Sequence, residues 1–136
     1  MRRLVESGTV RFIGVVEKVV DDLSTIHIHQ EYLPALMGVE AYEKLYVIYW
    51  FHLRDSAGHR DSAGHRGTLQ VIPRRHGATE PRGVFATHSP SRPNPIGLTL
   101  VDLVKVEGCT LTVRGLDALE GSPIVDIKPY TPHEDH

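Results

Sequence analysis

Short runs of β-branched and aromatic residues, separated by Gly, Pro and Asp, constrain this chain more than any other feature. Residues 10–20 (VRFIGVVEKVV) predict a long first strand. Residues 21–24 (DDLS) form a turn and residues 25–29 (TIHIH) alternate as a second strand, so the two read as a hairpin. In residues 31–43, Pro34 and Gly38 limit any helix to a turn or two, with Leu33, Leu36 and Met37 as its buried face. Residues 45–53 (LYVIYWFHL) are the most apolar segment and suit a strand buried on both faces. Short strands are expected at 68–72 and 83–87, and a long one at 96–106. A further strand spans 109–114, after a turn at Glu107-Gly108, and a last short one spans 123–127. So many short strands at close spacing predict a mainly β fold, a compact barrel or sandwich with short helical turns, in a single domain over residues 1–136.

Residues 54–67 read as an inserted polar loop. They hold a tandem duplication, RDSAGH at 54–59 and again at 60–65, too short and too few in copies for a solenoid. Its small polar residues suit a loop tip that tolerates insertion, where His59 and His65 would be exposed.

A hydrophobic fraction of 40% supports one core. The net charge is −2 with His neutral, so any polyanion site must come from local clustering of basic residues. The single cysteine, Cys109, excludes an intrachain disulfide and a cysteine metal cage. No long apolar stretch follows Met1-Arg2-Arg3 and no run has membrane-spanning length, so a soluble, cytoplasmic protein is expected. His27 and His29 share a strand face, but no third ligand stands at motif spacing, and no metal is expected.

The chemically informative stretch is residues 83–98, GVFATHSPSRPNPIGL. Pro90, Pro93 and Pro95 fix φ and push the residues before them out of the helical region. The product is a stiff loop between two strands, from which Ser89, Ser91, Arg92 and Asn94 project. Such a loop loses little further entropy when a ligand binds, although a rigid connection that only packs would look the same. Arg82 and Arg92, with Arg74-Arg75-His76, form a local basic concentration that could meet phosphate or could be a solvated loop. In a second stretch, residues 116–130, Val125 and Ile127 are expected on one strand face with Asp126 and Lys128 on the other. Asp126 and Lys128 then form a surface ion pair or flank a polar ligand. Trp50, Tyr46 and Tyr49 could stack a base, but in so apolar a strand they read as core.

G-V-F-A-T-x-S-P-x-R-P-N-P-I-G-L at 83–98 and L-D-A-L-x-G-S-P-x-x-D-I-K-P-Y at 116–130 resemble the signature pair of the TsaA/TrmO (YaeB-like) family. Ile13-Gly14-Val15-Val16 and Trp50-Phe51-His52 are also similar to family segments. The resemblance implies a compact β-barrel, not a Rossmann fold, in keeping with the absence of any G-x-G-x-x-G. It implies an S-adenosylmethionine-dependent methyltransferase that acts on N6 of threonylcarbamoyladenosine in tRNA, beside the anticodon. It also implies a homodimer with the cofactor near the subunit interface. Carried over by position, the cofactor contacts are His52 and Leu53, His88, Leu98, and the run Asp126, Ile127, Lys128, Pro129 and Tyr130. Ser89, Arg92, Asn94 and Arg82 are the candidates for substrate contact. Asp126 and His88 are the candidate proton acceptors.

Two departures bear on activity. His88 stands where the family usually has arginine, and an imidazole titrates near neutrality whereas a guanidinium stays charged. The family's Pro-Arg-Gln segment, in an insertion after the first strand, has no counterpart, because Asp21-Asp22 leads almost directly into residues 25–29. A module of the same fold that binds S-adenosylmethionine or a nucleoside without transferring methyl is the alternative. Methyl transfer to a small molecule is a third reading, which fits the net acidity.

Overall fold

The computed structural model describes residues 4–52, 66–73, 77 and 79–132. The duplicated hexapeptides, Leu53 and Arg74-Arg75-His76 lie outside these. The strands are β1 (Gly14–Val20), β2 (Leu23–Ile28), β3 (Lys44–Trp50), β4 (Gln70–Val71), β5 (Arg82–Gly83), β6 (Ile96–Glu107), β7 (Thr110–Arg114) and β8 (Pro123–Pro129). Six of them close into an antiparallel barrel in the order β1-β2-β7-β6-β3-β8, and β4 and β5 form a separate two-stranded ribbon. The expected barrel is therefore present, and closure removes the exposed sheet edges that a sandwich would keep.

Local chemistry explains the connections. Val20 pairs with Leu23, so β1 and β2 meet through the two-residue turn Asp21-Asp22, with Asp21 in the left-handed region at φ 55°. Glu107 pairs with Thr110 across Gly108-Cys109, one residue later than expected, with Gly108 at φ 59°. Between β2 and β3 the chain makes two 3-10 turns, Gln30–Leu36 and Val39–Ala41, as Pro34 and Gly38 require. Of the three residues expected to be buried there, only Leu36 is; Leu33 and Met37 are exposed.

Barrel closure depends on irregularities that alternation does not reveal. The twelve-residue β6 pairs with β3 through its first half and with β7 through its second, and passes between them at a register shift around Val104. A second shift in β8 sets Ile124 opposite Tyr49 and Ile127 opposite Val47. The inward face thus takes Ile124 and Ile127, three apart, so the expected sharing of one face by Val125 and Ile127 does not hold. Asp126 and Lys128 are on the outer side as expected, with Lys128 Nζ 3.8 Å from Asp126 Oδ2.

The core is the barrel interior, where Ile26, Leu45, Val47, Leu111, Val113 and Ile124 are all fully buried. β3 corrects another expectation. Leu45, Val47 and Tyr49 point inward, but Tyr46, Ile48 and Trp50 form an outer row that is only half-buried. Tyr130 meets Tyr46 edge-on at 5.6 Å and Phe12 meets Trp50 at 5.8 Å, which covers part of that row. The first strand begins at Gly14, not Val10, because only from there does the ladder to β2 and β8 run. The strand expected at 83–87 shortens to Arg82–Gly83 and turns into a 3-10 segment, Val84–Ala86.

Candidate active site

The Pro-rich segment forms one wall of a cavity of about 820 Å³ at the end of the barrel where β3 leaves and β6 enters. Its stiffness has a hydrogen-bonded cause beyond proline. Thr87 Oγ1 accepts the Ser89 N–H at 3.2 Å, and Ser89 Oγ accepts the Ser91 N–H at 3.1 Å. Arg92 donates one guanidinium nitrogen to the carbonyls of Thr87 and Ser89, each at 3.0 Å. The hydroxyls thus cap the donors on either side of Pro90, and the guanidinium gathers the carbonyls. Ser89 and Arg92 therefore serve the loop itself, although Arg92 also lines the cavity.

The loop is held from outside at its second half. The Phe51 N–H donates to Pro95 O at 2.8 Å. Arg66 Nε donates to Pro93 O at 2.9 Å and its terminal nitrogen to Asn94 Oδ1 at 3.4 Å, while the guanidinium lies 5.6 Å from the Trp50 ring centre. Phe51 and Arg66, fifteen positions apart in the chain, are thereby both bonded to the same proline-rich loop.

The floor of the cavity belongs to β3 and β6. Tyr49, opposite Gly97, is buried, and its ring meets Phe51 edge-on at 5.5 Å. A Cβ on Gly97 would come within 2.6 Å of the Tyr49 ring and 2.8 Å of Phe51, so only glycine fits beneath these rings. The Tyr49 hydroxyl donates to Asp117 O at 2.5 Å and lies 3.2 Å from Thr99 Oγ1. Burial pushes the phenol's pKa up, with Thr99 opposing, so the hydroxyl keeps its proton and remains a donor. This bond fixes the loop 117–119, which forms the opposite wall.

The family model for the tRNA-methyltransferase O N-terminal domain matches residues 16–136. The chain belongs to this family. Its relatives are named for cofactor or for activity. A probable S-adenosyl-L-methionine-binding protein of Methanothermobacter thermautotrophicus is 50% identical over 107 residues, 79% of this chain and 69% of that protein. The human tRNA (adenine(37)-N6)-methyltransferase is 43% identical over 96 residues, 71% of this chain but 20% of that protein. A crystal structure of TrmO superposes with a TM-score of 0.70 at 27% identity, over 96% of this chain and 60% of that one. The chain thus spans about three fifths of the solved structure's length.

The family-derived residues fall into two places. His52, His88, Arg92, Asn94 and Leu98 surround the cavity. Asp126, Ile127, Lys128, Pro129 and Tyr130 do not line it, nor do Ser89 and Arg82, and Leu53 lies outside the described residues. The barrel register nevertheless connects the two groups. Leu98 of β6, Ile48 of β3 and Asp126 of β8 form one transverse row, and Leu100, Tyr46 and Lys128 form the next. Leu98, 61% exposed, belongs both to this outer face and to the cavity rim. Reading the sequence missed Tyr49, Phe51, Phe85 and Asp117 as cavity residues. Asp117 stood in the second motif, Phe85 in the first and Phe51 in a family-like segment, so these three carried a local signal, whereas Tyr49 read only as core. Among the described residues, no group of three or more His, Cys, Asp or Glu is placed to hold a metal, and no helix is long and apolar enough to cross a membrane.

Proposed function

We propose that this chain binds S-adenosylmethionine and methylates N6 of an adenine in tRNA, with threonylcarbamoyladenosine beside the anticodon as the nucleoside. The observation that carries the reading is the pre-ordered cavity between the residue 83–98 loop and the loop 117–119, in a chain of this family. Its volume lies in the range of small-ligand pockets. Its residues suit a cofactor that joins a nucleoside to an amino acid. Phe85, 82% exposed, and Phe51 offer ring faces, the imidazoles of His52 and His88 suit a carboxylate, and Asp117 suits a positive group. When bound, S-adenosylmethionine supplies an already activated methyl group. The protein then has to exclude water, hold the acceptor amine in line, and take up a proton. His52, His88 and Leu98 hold the cofactor from the cavity side, and Asp126, Ile127, Lys128, Pro129 and Tyr130 from the outer face, with Leu53 a further contact carried over by position alone. Arg92 and Asn94 contact the substrate at the rim, with Ser89 of the same loop and Arg82 of β5 as further contacts.

Two such surfaces are joined in a homodimer whose interface is the outer face of β6, β3 and β8. Leu98 and Leu100, 61% and 40% exposed, support this face as one that needs cover. Leu100→Asp should convert a dimer to monomers in analytical ultracentrifugation, with the fold retained by circular dichroism; an unchanged dimer would place the interface elsewhere. The protein works in the cytoplasm, where its tRNA is found.

The decisive assay gives purified protein S-adenosylmethionine and tRNA and reads nucleosides by mass spectrometry. Appearance of the N6-methylated threonylcarbamoyl nucleoside supports the reading, and its absence with folded protein and bound cofactor sinks it. The second reading, binding without transfer, is favoured by one feature: the two-residue turn Asp21-Asp22 leaves no insertion between β1 and β2 to complete the site. His88→Arg should tighten cofactor binding about tenfold in calorimetry, as a forked, permanently charged partner for a carboxylate does. Unchanged affinity would remove position 88 from the cofactor contacts.

A further inference from the structure

We propose that Asp117 is the proton acceptor of the methyl transfer, an assignment that rests on the function proposed above. Asp117 is the one carboxylate among the described residues that line the cavity. Among the described residues nothing is hydrogen-bonded or ion-paired to that carboxylate, so its oxygens are open to a ligand. Its backbone, by contrast, is held. The carbonyl accepts the Tyr49 hydroxyl at 2.5 Å, the same hydroxyl lies 3.2 Å from Thr99 Oγ1, and Tyr49 is only 4% exposed. A buried phenol reaching from the barrel wall thus sets the position of an otherwise exposed acid, which is the arrangement a positioned base requires.

The two other candidates lack this arrangement. Asp126 stands on the outer face, where its Oδ1 accepts the Ile127 N–H at 2.8 Å and its Oδ2 faces Lys128 at 3.8 Å. His88 is exposed at the rim, and among the described residues no hydrogen bond fixes its ring.

In the step, the lone pair of the acceptor nitrogen forms the new N–C bond as the C–S bond breaks with its electron pair to sulfur. The N–H proton passes to an Asp117 oxygen. A methylated nitrogen, a neutral thioether and a protonated Asp117 result, and the carboxyl returns its proton to water when the products leave.

Asp117→Asn keeps the side chain's size and the carbonyl that Tyr49 engages, so folding should be unaffected. Three measurements on the full chain, wild type beside variant, test the assignment. Single-turnover methylation of tRNA should fall about 100-fold or more, as loss of a general base does. Calorimetric affinity for the thioether product, S-adenosylhomocysteine, should stay within about threefold, while an analogue with a primary ammonium in place of the transferred methyl (sinefungin) should bind about tenfold more weakly. A rate within about threefold of wild type would overturn the proposal. So would equal weakening of both ligands, which would make Asp117 a cofactor-holding residue, and so would undiminished binding of the ammonium analogue. If wild type transfers no methyl group to tRNA, the functional reading itself fails and takes this assignment with it; an active wild type with an active Asp117→Asn overturns the assignment alone.

Discussion

Gly97→Ala should be among the most damaging single substitutions in this protein, although it adds one methyl group. The added Cβ would come within 2.6 Å of two Tyr49 ring carbons and 2.8 Å of Phe51. Neither ring has an easy escape. Tyr49 is anchored through its hydroxyl to Asp117 O and Thr99 Oγ1, and Phe51 is held edge-on against it with its own N–H bonded to Pro95 O. Relief therefore requires β3 and β6 to separate or the cavity wall to shift. Overpacking of this kind costs about 3 kcal/mol, and a fall in Tm of roughly 10 °C is expected. Cofactor affinity should fall with it, because the rings form the cavity floor. Gly8→Ala, where a Cβ meets nothing within 4 Å, is the matched control and should be neutral. Thermal denaturation followed by circular dichroism checks both, and a Gly97→Ala protein that melts with the control would show that the rings move freely.

Ile124→Ala attacks the barrel at its least extensive seam. β1 and β8 share only the pairs Gly14↔Ile124 and Val15↔Pro123 in their ladder. Three flanking bonds add to it, with Ile13 N–H to Ile124 O at 2.8 Å, Val16 N–H to Ser122 O at 2.9 Å and Gly121 N–H to Val16 O at 2.7 Å. Ile124 is fully buried and sits opposite both Gly14 and Tyr49, so it ties this seam to the cavity floor. Truncation removes three carbons from a closed core that cannot collapse easily, which costs about 3–4 kcal/mol. The amides of Ile13 and Val16 should lose hydrogen-exchange protection before those between β3 and β6, which are paired over seven residues from Lys44 to Trp50. Uniform loss of protection around the barrel would show that it opens as one unit.

Much of this fold could be read from residue patterns, and the failures have particular causes. The alternation in residues 25–29 and the β-branched run through residues 96–106 located β2 and β6 to within a few residues. Closure was not readable, because it depends on bulges: one extra residue in β8 moved Ile124 and Ile127 to the same side against simple alternation. Continuous apolarity at 45–53 marked a strand, but one buried on a single face and ending at Trp50. It could not show that Tyr46, Ile48 and Trp50 would face outward half-covered, since apolar residues look the same whether their cover is internal or a second chain. For the site, the proline spacing marked the right loop, but the hydroxyl caps and the Arg92 clasp follow from three-dimensional folding of that loop. Tyr49 and Gly97 lie 48 positions apart and are neighbours only through the β3–β6 register, so no local pattern could announce that one makes room for the other. Arg66 follows the duplicated hexapeptides, in a stretch whose composition signals only a loop.

That last residue gives the duplication a meaning. Phe51 and Arg66 stand on either side of the duplicated hexapeptides, and each is bonded to the proline-rich loop, at Pro95 and at Pro93. Gain or loss of one hexapeptide changes the closure entropy by only on the order of half a kcal/mol. The chain can thus change length between these two anchors at small thermodynamic cost while both bonds to the proline-rich loop keep their partners.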